Sequence, residues 1–252
     1  MEIPAKIEKC LESEKGARDS YYKSFSDKEA EWVDIFKNWE EIKRDRLLTR
    51  AFLRRIYLAY DSERILDKKI GRKRQRSISS DMENIFGQML RAFLESQKVK
   101  GFAVMINDKL GNKEPDILVT KNTKPTCVIE LKSDLGYSRK EWSEILNKRL
   151  SVYTKIQEDK IQEKNFFVVI LTAGNWKTKN MDLKDELRKW KGKKGNFVFL
   201  IKDPKIHPNP VKLSEGEIDE ATSVFNSLDS LNRIVSEPAL EEIFSKILSS
   251  VK

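Results

Sequence analysis

Three charged residues stand in and beside the most strand-like part of the chain, EPDILVTKNTKPTCVIELKSD over residues 114–134: Asp116, Glu130 and Lys132. Charged groups are rarely buried unless they are paired or hold a metal. Alternate residues of a strand share a face, so Glu130 and Lys132 point the same way, while Ile129 and Leu131 face the apolar side. Asp116 opens the preceding strand. If the two strands are neighbours, two carboxylates and one ammonium converge at one end of a sheet. Two acids held together repel unless a cation lies between them. Hard oxygen ligands without imidazole or thiolate favour Mg²⁺, with Mn²⁺ as a substitute, over zinc. An ion shared with a phosphate would offset the charge that develops during phosphodiester hydrolysis and acidify a bound water. Lys132 could align that water, stabilise the pentavalent species or act as a base.

The flanking sequence supplies the elements that must position this trio. SISSDMENIFGQMLRAFLESQ sets Met82, Ile85, Phe86, Met89, Leu90, Phe93 and Leu94 on one helical face. Ser80 and Glu83 have capping-box spacing. Strand-like pieces follow at 101–107, 115–120 and 126–132, the first two joined by the polar turn DKLGNKE and the last two by KNTKP. A helix opening at SRKE, with Ser138 and Glu141 at capping-box spacing, carries Trp142, Ile145, Leu146, Leu150, Tyr153 and Ile156 on its apolar face. NFFVVILTAG (165–174) reads as a strand covered on both faces. A charged helical segment and the strand NFVFLIK (196–202) come next.

Outside this middle, Trp32, Ile35, Phe36, Trp39 and Ile42 form one helical stripe, and Leu48, Phe52, Leu53, Ile56 and Tyr57 another. KKIGRKRQR reads as a linker broken at Gly71, and the tail from about Ser214 as helical and peripheral. The expected organisation is a helical N-terminal region with a basic linker (1–76), an α/β core (77–205) and a helical C-terminal region packed on that core (206–252).

Composition narrows the function classes. The 252 residues carry 49 Lys/Arg against 40 Asp/Glu, a formal net charge of +9, which suits a polyanionic partner. The excess is local: residues 1–40 hold 7 basic and 10 acidic residues, residues 41–76 hold 13 and 5. Lys68, Lys69, Arg72, Lys73, Arg74 and Arg76 run up to the first core helix and are candidate nucleic-acid contacts, as is Lys140 after the motif; Lys148 and Arg149 lie on the same later helix. Cys10 and Cys127 lack metal-ligand spacing, and Cys127 reads as a buried apolar residue. The single histidine, His207, reads as a loop residue. No apolar run is long enough to span a membrane, and the start lacks a secretory layout, so a cytoplasmic protein is expected.

Pro115-Asp116 followed by Glu130-Leu131-Lys132 resembles the PD-(D/E)xK nuclease superfamily, which includes type II restriction endonucleases, junction resolvases and repair nucleases. The resemblance covers roughly Ser77 to Lys202. It implies a restriction-endonuclease-like αβββαβ core, a central mixed sheet flanked by helices, with helical N- and C-terminal additions. By the same resemblance Asp116 and Glu130 are metal ligands, the Leu131 main-chain carbonyl completes the metal site, Lys132 is the catalytic lysine, and Glu83 matches an acid carried on the first core helix. The leading expectation is a Mg²⁺-dependent type II restriction enzyme cutting double-stranded DNA as a homodimer. A repair, junction-resolving or defence nuclease of the same fold, or a non-catalytic nucleic-acid-binding protein, are the alternatives.

Overall fold

The computed structural model describes residues 16, 28–71, 79–133, 142–156, 161–172, 188–203, 206, 223–225, 227–235 and 237–252. The chain forms an α/β structure around one five-stranded mixed sheet flanked by helices. The strands are β1 (Phe102–Ile106), β2 (Ile117–Lys121), β3 (Lys124–Lys132), β4 (Phe166–Thr172) and β5 (Phe197–Ile201), in spatial order β1-β2-β3-β4-β5. β1, β2 and β3 pair antiparallel, and β3, β4 and β5 pair parallel. The named helices are α1 (Trp39–Arg44), α2 (Leu47–Ile70), α3 (Ser79–Ser96), α4 (Trp142–Tyr153) and α5 (Ala239–Val251). Among the described residues, no helix is long and apolar enough to cross a membrane.

Period-two alternation sends each strand's side chains into two separate cores. Ile117 and Val119, Cys127, Ile129 and Leu131, and Phe167, Val169 and Leu171 join the larger core with α1, α2, α3 and α5. Leu118, Val128, Phe166, Val168 and Ile170 face the other way, onto Leu146, Leu150 and Tyr153 of α4. β4 is buried at every position, as its unbroken apolar run predicts. Glu130 and Lys132 continue the Val128 face, on the side of α4, where Glu130 is fully buried.

Register brings the acids together. Ile117 pairs with Ile129, and one step further along both strands stand Asp116 and Glu130. A bulge at Val119/Thr120 accommodates the extra residue Thr126, so that Thr120 pairs with Pro125, which has no N–H to give. The β2–β3 turn is two residues, Asn122 and Thr123, both with positive φ (48° and 66°). This is the primed hairpin geometry that matches strand twist, and it makes β3 two residues longer than its apolar run suggests.

Four expectations need correction. Ile35 is 44% exposed and not part of the buried stripe, whereas Phe36, Trp39 and Ile42 are. Lys68 and Lys69 belong to α2, which continues to Ile70, because the pattern breaks only at Gly71 (φ 68°). Ser80 is the second residue of α3, and no capping box forms with Glu83, whose carboxylate bonds elsewhere. The C-terminal helix is not peripheral: Leu240, Ile243, Phe244, Ile247 and Val251 all enter the larger core. Arg72, Lys73, Arg74, Arg76, Lys140, the Ser138–Glu141 box, Cys10, His207 and most of the charged segment before β5 lie outside the described residues.

Glu241 explains how α5 docks. It is fully buried, and its carboxylate accepts from the Thr49 backbone N–H (2.9 Å) and the Thr49 hydroxyl (2.6 Å) in the first turn of α2. A carboxylate at a helix N-terminus satisfies orphan donors and meets the positive end of the dipole. Burial nonetheless dominates and raises its pKa, opposed by those hydrogen bonds. The folded state therefore holds the Glu241 proton more tightly than the unfolded chain does. Its contribution to stability is complete below its ordinary value of 4.5 and is lost as pH rises through the raised folded value. Melting curves across this window are expected to show a downward slope with pH that is smaller in Glu241→Gln. It does not vanish, because Glu83 and Glu130 are pushed the same way. Glu241→Ala, which strands the Thr49 donors, should cost about 1–3 kcal/mol.

Candidate active site

The ends of β2 and β3 deliver the predicted trio to one point. Asp116 Oδ2 accepts from the backbone N–H of Leu131 at 2.6 Å and from Lys132 Nζ at 2.8 Å. The first bond lets the side chain serve the β3 backbone where β2 has not yet begun. The same ammonium lies 3.2 Å from Glu130 Oε2. Lys132 therefore bridges the two carboxylates. Glu130 is fully buried, Asp116 mostly so, and Lys132 about one-third exposed, with side-chain values of 0%, 15% and 32%.

Two residues of α4 complete the surroundings of Glu130. Arg149 donates a short hydrogen bond to Glu130 Oε2, and Tyr153 donates its hydroxyl to Oε1 at 3.4 Å. They stand four apart, on one face of the helix. Burial raises the Glu130 pKa and the Asp116 charge adds to the effect, opposed by Lys132 and Arg149. Burial also pushes the Tyr153 hydroxyl up, with Glu130 contributing, so it stays a neutral donor. Asp116, Glu130, Lys132 and Arg149 sum to zero formal charge. Arg149→Met removes one of the two cations that offset a buried carboxylate. Because the guanidinium is itself one-third exposed, the expected cost is about 1–2 kcal/mol in urea denaturation, with partial recovery in Arg149→Lys.

Glu83 is buried beside the trio. Its Oε2 accepts from Asn107 Nδ2 at 2.7 Å; it is not hydrogen-bonded to the trio. Burial raises its pKa against the pull of the Asn107 bond, and Asp116 raises it further. Asn107 ends β1 with φ 53°, a conformation that asparagine tolerates better than most residues, and its backbone N–H donates to the Asp116 carbonyl at 3.2 Å. Asn107 thus links Glu83 to Asp116.

Asn107 and Tyr153 were not singled out as site residues in the sequence. Tyr153 reads as an apolar-face residue, and Arg149 as one of several helix cations. The signal for both was their shared face on the helix after the motif. The candidate nucleic-acid residues are less placed: Lys69 is exposed near the end of α2, Lys68 lies in the same turn, and the others are outside the described residues. Lys148 pairs with Glu144 on the surface.

The donor set suits a hard divalent ion. Asp116 and Glu130 present oxygens that one ammonium already bridges, the position in which a second cation would find both. Among the described residues, no group of three or more His, Cys, Asp or Glu side chains is arranged to hold a metal. An ion here would draw its remaining ligands from the main chain, water or substrate, as Mg²⁺ commonly does. The chain matches no known family model, and neither a curated protein nor a solved structure matches it.

Proposed function

We propose that this chain is a Mg²⁺-dependent DNA endonuclease with a restriction-endonuclease-like core of the PD-(D/E)xK kind, acting on duplex DNA as a type II restriction enzyme. The observation that carries this reading is the single ammonium of Lys132, hydrogen-bonded to both Asp116 and Glu130 at the ends of adjacent antiparallel strands. A surface patch of strand charges would not bury one acid completely and oppose it to another, since directly opposed like charges destabilise a strand pair.

Asp116, Glu130 and the Leu131 carbonyl would hold the ion. Mg²⁺ bound there would supply Lewis-acid neutralisation of the phosphate and an acidified water. Lys132 keeps an N–H donor beside both acids, where it can align the attacking water or meet the developing charge on the phosphate. Arg149 bonds the same Glu130 Oε2 as Lys132, and Tyr153 bonds Oε1, so the carboxylate is oriented without substrate. Asn107 and Glu83 hold Asp116 through the end of β1. The four charged groups sum to zero, so the charge of a bound divalent ion would be left to offset the single negative charge of the phosphodiester and the charge that develops on it. The net charge of +9 supports a polyanionic substrate. Two copies, each cutting one strand, would make the double-strand break.

The reading is tested with supercoiled plasmid incubated with Mg²⁺, Ca²⁺ or chelator. Mg²⁺-dependent cleavage into a fixed fragment pattern, absent in Asp116→Asn, is the expected result. A preference for branched over linear duplex would instead assign the same site to junction resolution. Cleavage that persists in Asp116→Asn would overturn the site.

A further inference from the structure

At the opposite end of the sheet from the acidic trio lies a polar recess of about 490 Å³. Thr126 at the start of β3, Gln162 and Lys164 before β4, Lys193 before β5, and Lys246 and Ser249 of α5 contribute to its walls. From Thr126 to Lys132 the strand advances six residues, or about 20 Å at the usual rise, so the two sites share β3 but not ligands.

Its chemistry is one-sided. Three lysines line it, no acidic side chain does, and the remaining lining residues are mostly hydroxyl or amide bearing. Among the described residues, none of the three lysines makes an ion pair. Lys246 donates one hydrogen bond to the Gly195 carbonyl, which leaves two of its N–H groups for another acceptor. Burial holds its ammonium below the usual lysine range and Lys193 adds to that, partly offset by Glu242 one turn away. Lys164, Lys193 and Lys246 bring three cations to one recess, an arrangement that an anion relieves. The volume, in a recess between strand ends and a helix end, lies in the range that takes a nucleotide-sized molecule.

We propose that this concavity binds a small phosphorylated ligand of nucleotide size, its phosphates held by Lys164, Lys193 and Lys246. The site stands apart from the acidic trio, and its existence does not depend on the nuclease reading.

The test is calorimetric titration of the full chain with ATP, pyrophosphate, inorganic phosphate, adenosine or a short DNA duplex. Chelator is present throughout, so that no divalent ion contributes. ATP is expected to bind and adenosine not to bind. Pyrophosphate binding as tightly as ATP would place recognition on the phosphates alone; weaker binding would add a contribution from the nucleoside. Lys193→Ala and Lys246→Ala should each weaken ATP binding about tenfold or more, and the ligand-free melting temperature of Lys193→Ala should be kept. Lys132→Met should leave the binding unchanged. No heat at millimolar ATP, affinity unaltered in both lysine variants, or binding of the duplex alone would each overturn the proposal.

Discussion

Replacing Lys132 with methionine is expected to lower Mg²⁺-dependent DNA cleavage by about a thousandfold or more, the scale of losing a preorganised charge at a reacting phosphate. The same change should strengthen the response to divalent ions. Lys132 Nζ stands within 2.8 Å of Asp116 and 3.2 Å of Glu130, so in the ion-free protein it offsets both carboxylates. Without it, Arg149 alone opposes a fully buried acid and a neighbouring one, and the folded state loses stability. A divalent ion then restores more than it does in the wild type. The paired readout is cleavage rate and melting temperature, each with and without Mg²⁺. Loss of cleavage with a larger Mg²⁺-induced rise in melting temperature is the expected pattern. A variant that cuts normally, or one whose stability ignores Mg²⁺, would show that the ammonium is a surface ornament of β3.

Phe244→Ala is expected to cost about 3–5 kcal/mol, a large share of the 5–15 kcal/mol that holds a typical domain together. The ring is 1% exposed and packs against Phe86 at 5.4 Å, edge to face, and against Phe93 at 5.4 Å. Phe86 also meets Phe52 of α2. One ring of α5 therefore packs on two rings of α3, which in turn meets α2 through Phe86, and truncation opens a cavity in this shared core. Urea denaturation should show a single transition moved to much lower concentration. Two separate transitions would mean that the C-terminal helix folds as an independent appendage, contrary to the shared core.

The trio was legible in the sequence because its geometry follows from strand periodicity. Glu130 and Lys132 share a face by being two apart, and the thirteen residues between Asp116 and Glu130 are enough for β2, a tight turn and most of β3. β4 was legible because all seven of its residues are buried. The partners across elements were harder to read. Leu240, Ile243, Phe244 and Ile247 show their helical spacing, but spacing does not say that the face they form meets Phe86 and Phe93. Glu241 lies beside that face as an ordinary helix glutamate until Thr49, 192 positions away, is found against it. Ser80 and Glu83 match a local cap, and the long-range bond from Asn107 overrides it. Arg149 looks like any helix cation until β3 presents a buried carboxylate to it. Local pattern fixes the elements and their faces; which charged group faces which depends on register and packing.

The central claim is that the rims of β2 and β3 hold one divalent ion between Asp116 and Glu130. Its most direct measurement is the anomalous difference map of a Mn²⁺-soaked crystal. The account predicts one peak about 2.1 Å from a carboxylate oxygen of each acid and from the Leu131 carbonyl, with the Lys132 ammonium displaced from the bridge. A map with no peak between the two acids, and Lys132 still bonded to both at saturating Mn²⁺, would contradict it.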